Sequence, residues 1–182
     1  MNDFSTLKTA IKETEEWLSR ELSGVRTGRA TPTLLDSIKV EAYGSRTPLR
    51  EVAGITTEDA RTLRVIPWDK ELSKPIEAAI TEADLGVGVG ADDQGVRVTF
   101  PELTAERRTQ LIKIAGDRTE QARVTLRGHR TDAIKELEAT QKEGGMGEDE
   151  VKRLKAEIQK LVDASNDALG ALLAKKEQEI KL

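Results

Sequence analysis

Apolar positions recur with one common spacing in three segments of the chain. Their alternating steps of three and four residues average about 3.5, which is typical of helices that pack along a shared seam. The seam positions are Phe4, Leu7, Ile11, Thr14, Leu18, Leu22 and Val25 in the first segment; Ile112, Ala115, Thr119, Ala122, Leu126, His129, Ala133 and Leu137 in the second; and Val151, Leu154, Ile158, Leu161, Ser165, Ala168 and Leu172 in the third, with Val162, Leu169 and Leu173 beside them. An amphipathic helix needs partners that cover its apolar stripe, so these segments predict a long antiparallel three-helix bundle.

The second and third helices have clear end signals. Thr104 is a suitable N-cap, and the glycine-rich run 144–147 ends the helix that begins after it. We therefore predict a helix over 105–143. Gly116 and Gly128 interrupt it and mark either a close backbone approach or, the interpretation we favour, tolerated weak points that each cost about 1 kcal/mol relative to alanine.

The residues between the first and second seams follow a different pattern. Alternation of apolar and polar residues predicts strands, and a one-sided apolar stripe predicts one short helix that ends at Leu85-Gly86. The predicted strands are 38–43, a short one at 49–52, 63–66 and 96–100, and the predicted helix is 74–83. The glycines at 86–90 are interpreted as a helix C-cap running into a hairpin loop, because a dinucleotide-binding loop would follow a strand and open a helix.

These patterns predict an α+β protein with two domains. Residues 1–30 and 104–182 form the three-helix bundle, and residues 31–103 form a small β/α/β domain inserted into it. The first seam stops at Arg26–Ala30, where a glycine stands between two arginines and Pro32 follows, which disfavours a continuing helix. We expect hinge strands near 28–31 and 101–104. Their residues are Gly28, Ala30, Thr31, Pro101 and Thr104.

Composition narrows the class of protein. The 182 residues are 34% charged and 37% hydrophobic with no cysteine, which excludes a disulfide framework, a zinc–thiolate site and a cysteine nucleophile. No apolar stretch approaches the roughly 18 residues of a membrane span, and no basic region precedes an apolar run at the N-terminus. We expect a monomeric cytoplasmic protein that binds no membrane.

Catalytic motifs are missing from the sequence. It contains no GxxxxGK[ST], HExxH or GxSxG pattern, and its helical carboxylates are interpreted as solvated faces. The single histidine, His129, lies on the seam and is interpreted as a packed, hydrogen-bonded core residue rather than a catalyst. We expect no enzyme activity, no metal site and no cofactor.

The net charge of −4 hides a basic segment. Residues 105–135 carry four acidic side chains against eight basic ones, which are Arg107, Arg108, Lys113, Arg118, Arg123, Arg127, Arg130 and Lys135. Arg123, Arg127 and Arg130 share one helical face at i, i+4 and i+7. They form either a solvated face paired with Glu120 or a phosphate-binding row, for which the planar fork of arginine is suited.

The order and spacing of several motifs, from end to end of the chain, resemble the bacterial ribosome recycling factors. These motifs are Val25-Arg26-Thr27-Gly28-Arg29-Ala30, Pro32, Leu34-Leu35, Tyr43-Gly44, Thr47-Pro48-Leu49, Ala83-Asp84-Leu85-Gly86, Arg97-Val98, Leu103-Thr104 with Glu106-Arg107-Arg108, Lys113, Glu120-Gln121-Ala122-Arg123, and Arg127, Arg130 and Asp132. The resemblance implies an L-shaped molecule of tRNA-like dimensions whose helical rod binds ribosomal RNA of the large subunit after termination. It also implies that the small domain meets elongation factor G, whose GTP-driven movement splits the subunits and frees the mRNA.

The resemblance also implies which residues contact the ribosome. Arg127 and Arg130 match the ribosome-contacting arginines of the second helix, and Arg26 and Arg29 match a pair at the hinge end of the rod. Arg123 joins them by helical geometry. The chain departs from the usual family pattern at Gly128 and Thr131, and also at Gly88-Val89. The alternative function is a helical adaptor or chaperone-like rod that binds proteins, with an arginine row that serves solubility alone.

Overall fold

The structure, a computed structural model, describes residues 4–182. In chain order the elements are α1 (Ser5–Ser23), β1 (Lys39–Ala42), β2 (Ser45–Pro48), α2 (Leu49–Val52), β3 (Ala53–Asp59), β4 (Thr62–Pro67), α3 (Ser73–Glu82), β5 (Gly88–Asp92), β6 (Gly95–Thr99), α4 (Ala105–Lys142) and α5 (Glu148–Lys181), with 3₁₀ helices at Pro32–Leu35 and Lys70–Leu72. The chain divides into two compact units. The bundle unit comprises the residues up to Leu22 and Ile112–Gln178, and the sheet unit comprises Ser23–Leu111 and Glu179–Leu182.

The bundle unit packs α1, α4 and α5 around the predicted apolar seam. Leu18, Leu126 and Leu169, one from each helix, are fully buried in this core. The last two helices run antiparallel, because they are joined by a short turn and Lys155 of α5 donates to Glu138 of α4 over 2.6 Å near that turn. The predicted α+β class, with long helices and a small sheet domain, is confirmed.

Several predicted seam positions are only half-buried, and His129 and Leu161 are two of them. His129 is half-buried in a groove between α1 and α4, so its assignment to the packed core is wrong. On α5, Leu161 is only half-buried whereas its neighbour Val162 is buried in the core. The start of α4 follows the prediction, because the Thr104 hydroxyl accepts a hydrogen bond of 3.1 Å from the backbone N–H of Arg107.

The sheet unit is built on four antiparallel strands in the order β3-β4-β6-β5. Leu63 pairs with Val98 and Val65 with Val96, and all four side chains are buried on the inner face. Two isoleucines of α3, Ile76 and Ile80, complete this core. The strands β1 and β2 form a separate hairpin.

Three local predictions for the sheet unit are wrong. Residues 49–52 form a helical turn rather than a strand, because one turn of helix brings Leu49 and Val52 to the same side, where both are buried. Gly88–Asp92 form β5 rather than a hairpin loop, and they pair with β6 along its whole length. The helix C-cap lies earlier than the predicted Gly86, because α3 ends at Glu82, its C-cap is Ala83, and Asp84, with a φ of 48°, is the first left-handed residue after it. Gly86, whose φ is 68°, is also left-handed but lies in the segment that leads to β5.

The segments that lead into and out of the sheet are attached to the turn between β3 and β4. The N–H of Ala30 donates to the carbonyl of Ala60 over 2.8 Å, and the N–H of Phe100 donates to Arg61 over 2.7 Å. The compact sheet unit includes residues 23–30, whereas the sequence pattern assigns them to the rod. The hinge and the domain bounds stay predictions.

Gly28 is required by a close contact rather than by a sharp turn. Its φ is not positive, but a Cβ added there would lie 3.2 Å from the carbonyl carbon of Leu182. The glycine therefore permits a close backbone approach within the sheet unit. None of the helices formed by residues 4–182 combines the length and the apolar character needed to cross a bilayer.

Candidate nucleic-acid interface

The arginine row of α4 lies beside the bundle core. Ala122 and Leu126 of the same helix are fully buried, so their neighbours at 123, 127 and 130 are placed at the edge of the apolar stripe. The side chain of Arg127 is 61% exposed and that of Arg123 is 37% exposed. The helix thus brings the three predicted arginines together on one accessible face.

One carboxylate serves two of these arginines. Arg127 Nη2 donates to Glu120 Oε1 over 3.0 Å, and Arg123 Nη1 lies 3.9 Å from the other oxygen of Glu120. The pairing that the solvated-face interpretation predicts is therefore present. Such exposed ion pairs are worth only about 0–1 kcal/mol, so a phosphate group can replace Glu120 at little cost.

The outer two arginines of the row lie next to α5. Arg123 reaches Gly170, where its Nη2 lies 3.8 Å from the position of a Cβ. Arg130 is half-buried, and its Nε donates to the Gln159 side chain over 2.7 Å. Gln159 was not among the residues that the sequence pattern singles out, because no spacing rule links it to Arg130.

In the sheet unit, Arg26 is engaged with the protein itself. Its Nη2 donates to the carbonyl of Pro101, and its guanidinium lies over the ring of Phe100 at 5.6 Å from the ring centre. Burial lowers the pKa of the Arg26 guanidinium from its ordinary value, and the nearby charge of Arg107 lowers this pKa further. Arg26, which precedes the first predicted hinge segment, therefore contacts the second at Pro101.

Arg29, three residues later, is placed differently. Its side chain is exposed and has no hydrogen bond or ion pair within residues 4–182. Its backbone is held by the buried Thr27, whose hydroxyl accepts from the N–H of Arg29 over 3.2 Å and lies 3.1 Å from its carbonyl. Of the predicted arginine pair, Arg29 is the one whose guanidinium is available to a ligand.

Two adjoining grooves between α1 and α4, of about 370 and 340 Å³, meet at Ala10 and His129. Among the described residues no group of histidine, aspartate and glutamate side chains is arranged to hold a metal ion. The arginine row remains the feature of this unit best suited to bind a charged partner.

Known proteins share this sequence and fold over nearly their whole length. The family profile described as Ribosome recycling factor matches residues 18–180. The chain belongs to the ribosome recycling factor family. A family member from Symbiobacterium thermophilum is 43% identical over 180 residues, covering 95% of this chain and 97% of that protein. One from Legionella pneumophila is 44% identical over 170 residues, covering 93% and 92%.

Solved structures of the family agree with the fold described above. A solution structure of a ribosome recycling factor superposes with a TM-score of 0.77 at 35% identity, covering 98% of this chain and 95% of that one. A second structure has a TM-score of 0.68 at 40% identity and covers 97% and 96%. It is described as the Thermus thermophilus ribosome recycling factor, with Escherichia coli elongation factor G, bound to the E. coli post-termination complex.

Proposed function

We propose that this chain recycles ribosomes by binding the large subunit of the post-termination ribosome through the arginine row of α4. The arginine row is the observation that supports this binding site. Arg123, Arg127 and Arg130 share one face and lie in a segment with a surplus of four positive charges, and among residues 4–182 Glu120 is the carboxylate that pairs with the first two of them. Folded RNA is recognised mainly through its shape and its phosphates, which such a row fits.

The second part of the proposal concerns the partner protein and the movement. Elongation factor G, with GTP, acts on the sheet unit and drives subunit splitting, as the described assembly of a relative with that factor supports. The chain acts in the cytoplasm, where ribosomes work, and contributes no catalytic group of its own. The segments 28–31 and 101–104 serve as the hinge, and Arg29 adds a phosphate contact beside it.

The direct test is cosedimentation of the purified protein with large ribosomal subunits. Arg130→Glu removes a charge-assisted contact and adds a repulsive charge. Because a hydrogen bond to a charged group is worth about 1.5–3 kcal/mol, we expect affinity to fall by more than about ten-fold. The affinity of the parent should also fall steeply with added salt, because phosphate contacts release counterions.

The matched control for this test is Arg153→Glu on α5. Arg153 is exposed, at 61% of its side chain, and is paired with Glu157 over 2.6 Å, and its substitution changes the net charge by the same amount at a position outside the row. We expect it to bind large subunits as the parent does. Equal binding by Arg130→Glu and parent at moderate salt, with unchanged helical content, would contradict the proposed site and favour the protein-binding adaptor.

A further inference from the structure

A neutral amide on α5 links Arg130 to an acidic residue. Arg130 Nε donates to Gln159 Oε1 over 2.7 Å, and Gln159 Nε2 donates to Asp163 Oδ1, also over 2.7 Å. Gln159 and Asp163 are one turn apart on the same helix, so both lie beside the arginine row. The three side chains form a directed chain of hydrogen bonds across the two helices.

The direction of this chain is set by Asp163. An ionised carboxylate only accepts hydrogen bonds, so the amide of Gln159 must present its NH₂ group to Asp163. Its oxygen then points to Arg130, where an N–H donor meets it. The reversed amide would place its NH₂ group against Arg130 and its oxygen against the carboxylate, and both hydrogen bonds would be lost.

The consequence for Arg130 is a fixed orientation without a direct ion pair among residues 4–182. With Nε occupied, the two terminal nitrogens remain, and neither has a partner within residues 4–182. This end of the guanidinium is the edge that meets two phosphate oxygens in parallel. Arg127 differs, because its guanidinium is held by the carboxylate of Glu120, which opposes its charge.

We infer that Gln159 is a positioning residue for Arg130, which orients the guanidinium for a phosphate group of RNA before the ligand arrives. The inference rests on the proposed function. Ordering a long side chain on binding costs about 0.5–1.5 kcal/mol, so losing this preorganisation lowers affinity by roughly three- to ten-fold. The amide does this without adding a negative charge to the site.

The test is a double-mutant cycle in the full-length protein. Gln159→Met keeps the length of the side chain and removes both hydrogen bonds, and it is compared with Arg130→Ala and with the double variant. Affinity for large ribosomal subunits is measured by cosedimentation at several salt concentrations. We expect Gln159→Met alone to weaken binding roughly three- to ten-fold and to have no further effect in the Arg130→Ala background, because a positioning residue acts only through its partner.

Two further variants separate positioning from folding. Gln178→Met makes the same substitution at an exposed position of α5 and should leave binding unchanged. Gln159→Glu restores an acceptor for Arg130 but adds a negative charge that also repels the carboxylate of Asp163, so it should bind more weakly than Gln159→Met, and its melting temperature is measured beside that of the parent.

The possible outcomes distinguish the inference from the proposed function. A loss on Gln159→Met that is equal in both backgrounds would overturn the positioning role, since Gln159 would then act independently of Arg130. Parent-like binding by Gln159→Met would overturn it too. Parent-like binding by Arg130→Ala would overturn the proposed site itself, and the inference with it.

Discussion

Two clusters of arginines, one in each unit, have opposite surroundings. On α4 of the bundle unit, Arg123 and Arg127 share the single carboxylate of Glu120, and Arg130 contacts a neutral amide. On the outer face of the sheet, Arg64 donates to both oxygens of Asp92 at 2.7 and 2.8 Å. The first cluster keeps its positive charge available, whereas the second is neutralised by the protein.

The sheet cluster is a closed network. Arg64 and Arg97 are directly opposite each other on β4 and β6, which alone would be unfavourable for two positive charges. Glu58 bonds to both of them, and Asp92 bonds to the first. Only 12% of the Arg64 side chain is exposed. Arginine content therefore does not identify a binding surface, and the partners of each guanidinium must be known.

The largest expected effect within the sheet unit is that of Arg64→Met. The substitution leaves Asp92 without its cation and Glu58 with Arg97 alone, so we expect the melting temperature of this unit to fall by several degrees. Affinity for large subunits should not change, because this arginine presents no free charge. The unit can be followed by the fluorescence of Trp68 in a Trp17→Phe background, since the chain has two tryptophans.

The matched control is Arg46→Met, also in the sheet unit. Its side chain is 63% exposed and pairs with Glu41 over 3.1 Å, so the same chemistry is removed from a solvated pair. We expect little change in melting temperature. An equal decrease of the melting temperature in both variants would show that the network stabilises the sheet unit no more than a solvated ion pair does. Weaker binding of Arg64→Met to large subunits would place the sheet arginines in the interface.

A smaller effect is expected on acidification. The hydrogen bond from Arg97 lowers the pKa of Glu58, and that from Arg64 lowers the pKa of Asp92. Carboxylates with lowered folded-state pKa stabilise the fold above their unfolded-state pKa of about 4, and this stabilisation is lost as the pH falls through the folded-state values. We expect the denaturant midpoint of the sheet unit, read from Trp68, to decrease below about pH 4.

The pH series also tests the comparison between the two clusters. In Arg64→Met the pKa of Asp92 should return toward its ordinary value, so the midpoint should depend less on pH than in the parent. Identical pH profiles for variant and parent would mean that another group controls the acid sensitivity. Gln159→Met in the bundle unit should leave the pH profile of the sheet unit unchanged.

The sequence was sufficient for the parts of the fold that depend on periodicity. The seams and the N-cap at Thr104 follow from local patterns, because helix packing and capping act over a few residues. The strand β5 was missed because glycines occupy its outward positions, Gly88 and Gly90, and no alternation was visible. The edge strand β3 was missed because most of its residues are exposed.

The sequence was sufficient to select the residues of the candidate site, but it did not predict which residues they contact. Helical spacing places Arg123, Arg127 and Arg130 on one face without further information. The bond from Arg130 to Gln159 spans 29 residues and depends on the register between α4 and α5. A heptad repeat leaves that register open, because a shift of seven residues buries an equivalent seam. The hydrogen bond from Arg26 to Pro101, 75 residues away, was also not predictable, because it joins two non-helical segments that no spacing pattern relates.

The smallest expected effect concerns the backbone that carries the arginine row. A Cβ added at Gly128 meets nothing within 4 Å, so no close approach accounts for this glycine, which lies beside Arg127. Gly128→Ala should therefore stabilise the bundle unit by up to about 1 kcal/mol, since alanine loses less backbone entropy in a helix. Thermal unfolding followed by circular dichroism measures this gain, and Gly116→Ala, equally open, is the matched variant.

Binding of Gly128→Ala to large subunits tests whether the arginine row of α4 is held rigid. If α4 presents its arginines in a fixed arrangement, Gly128→Ala raises stability and leaves affinity for large subunits unchanged. Weaker binding by Gly128→Ala but not by Gly116→Ala would mean that the helix must deform locally between Arg127 and Arg130 when RNA binds. In that case preorganisation by Gln159 would not be the main source of the row's affinity for RNA. The arginine row would then differ from the sheet network in the flexibility of its backbone rather than in the availability of its positive charge.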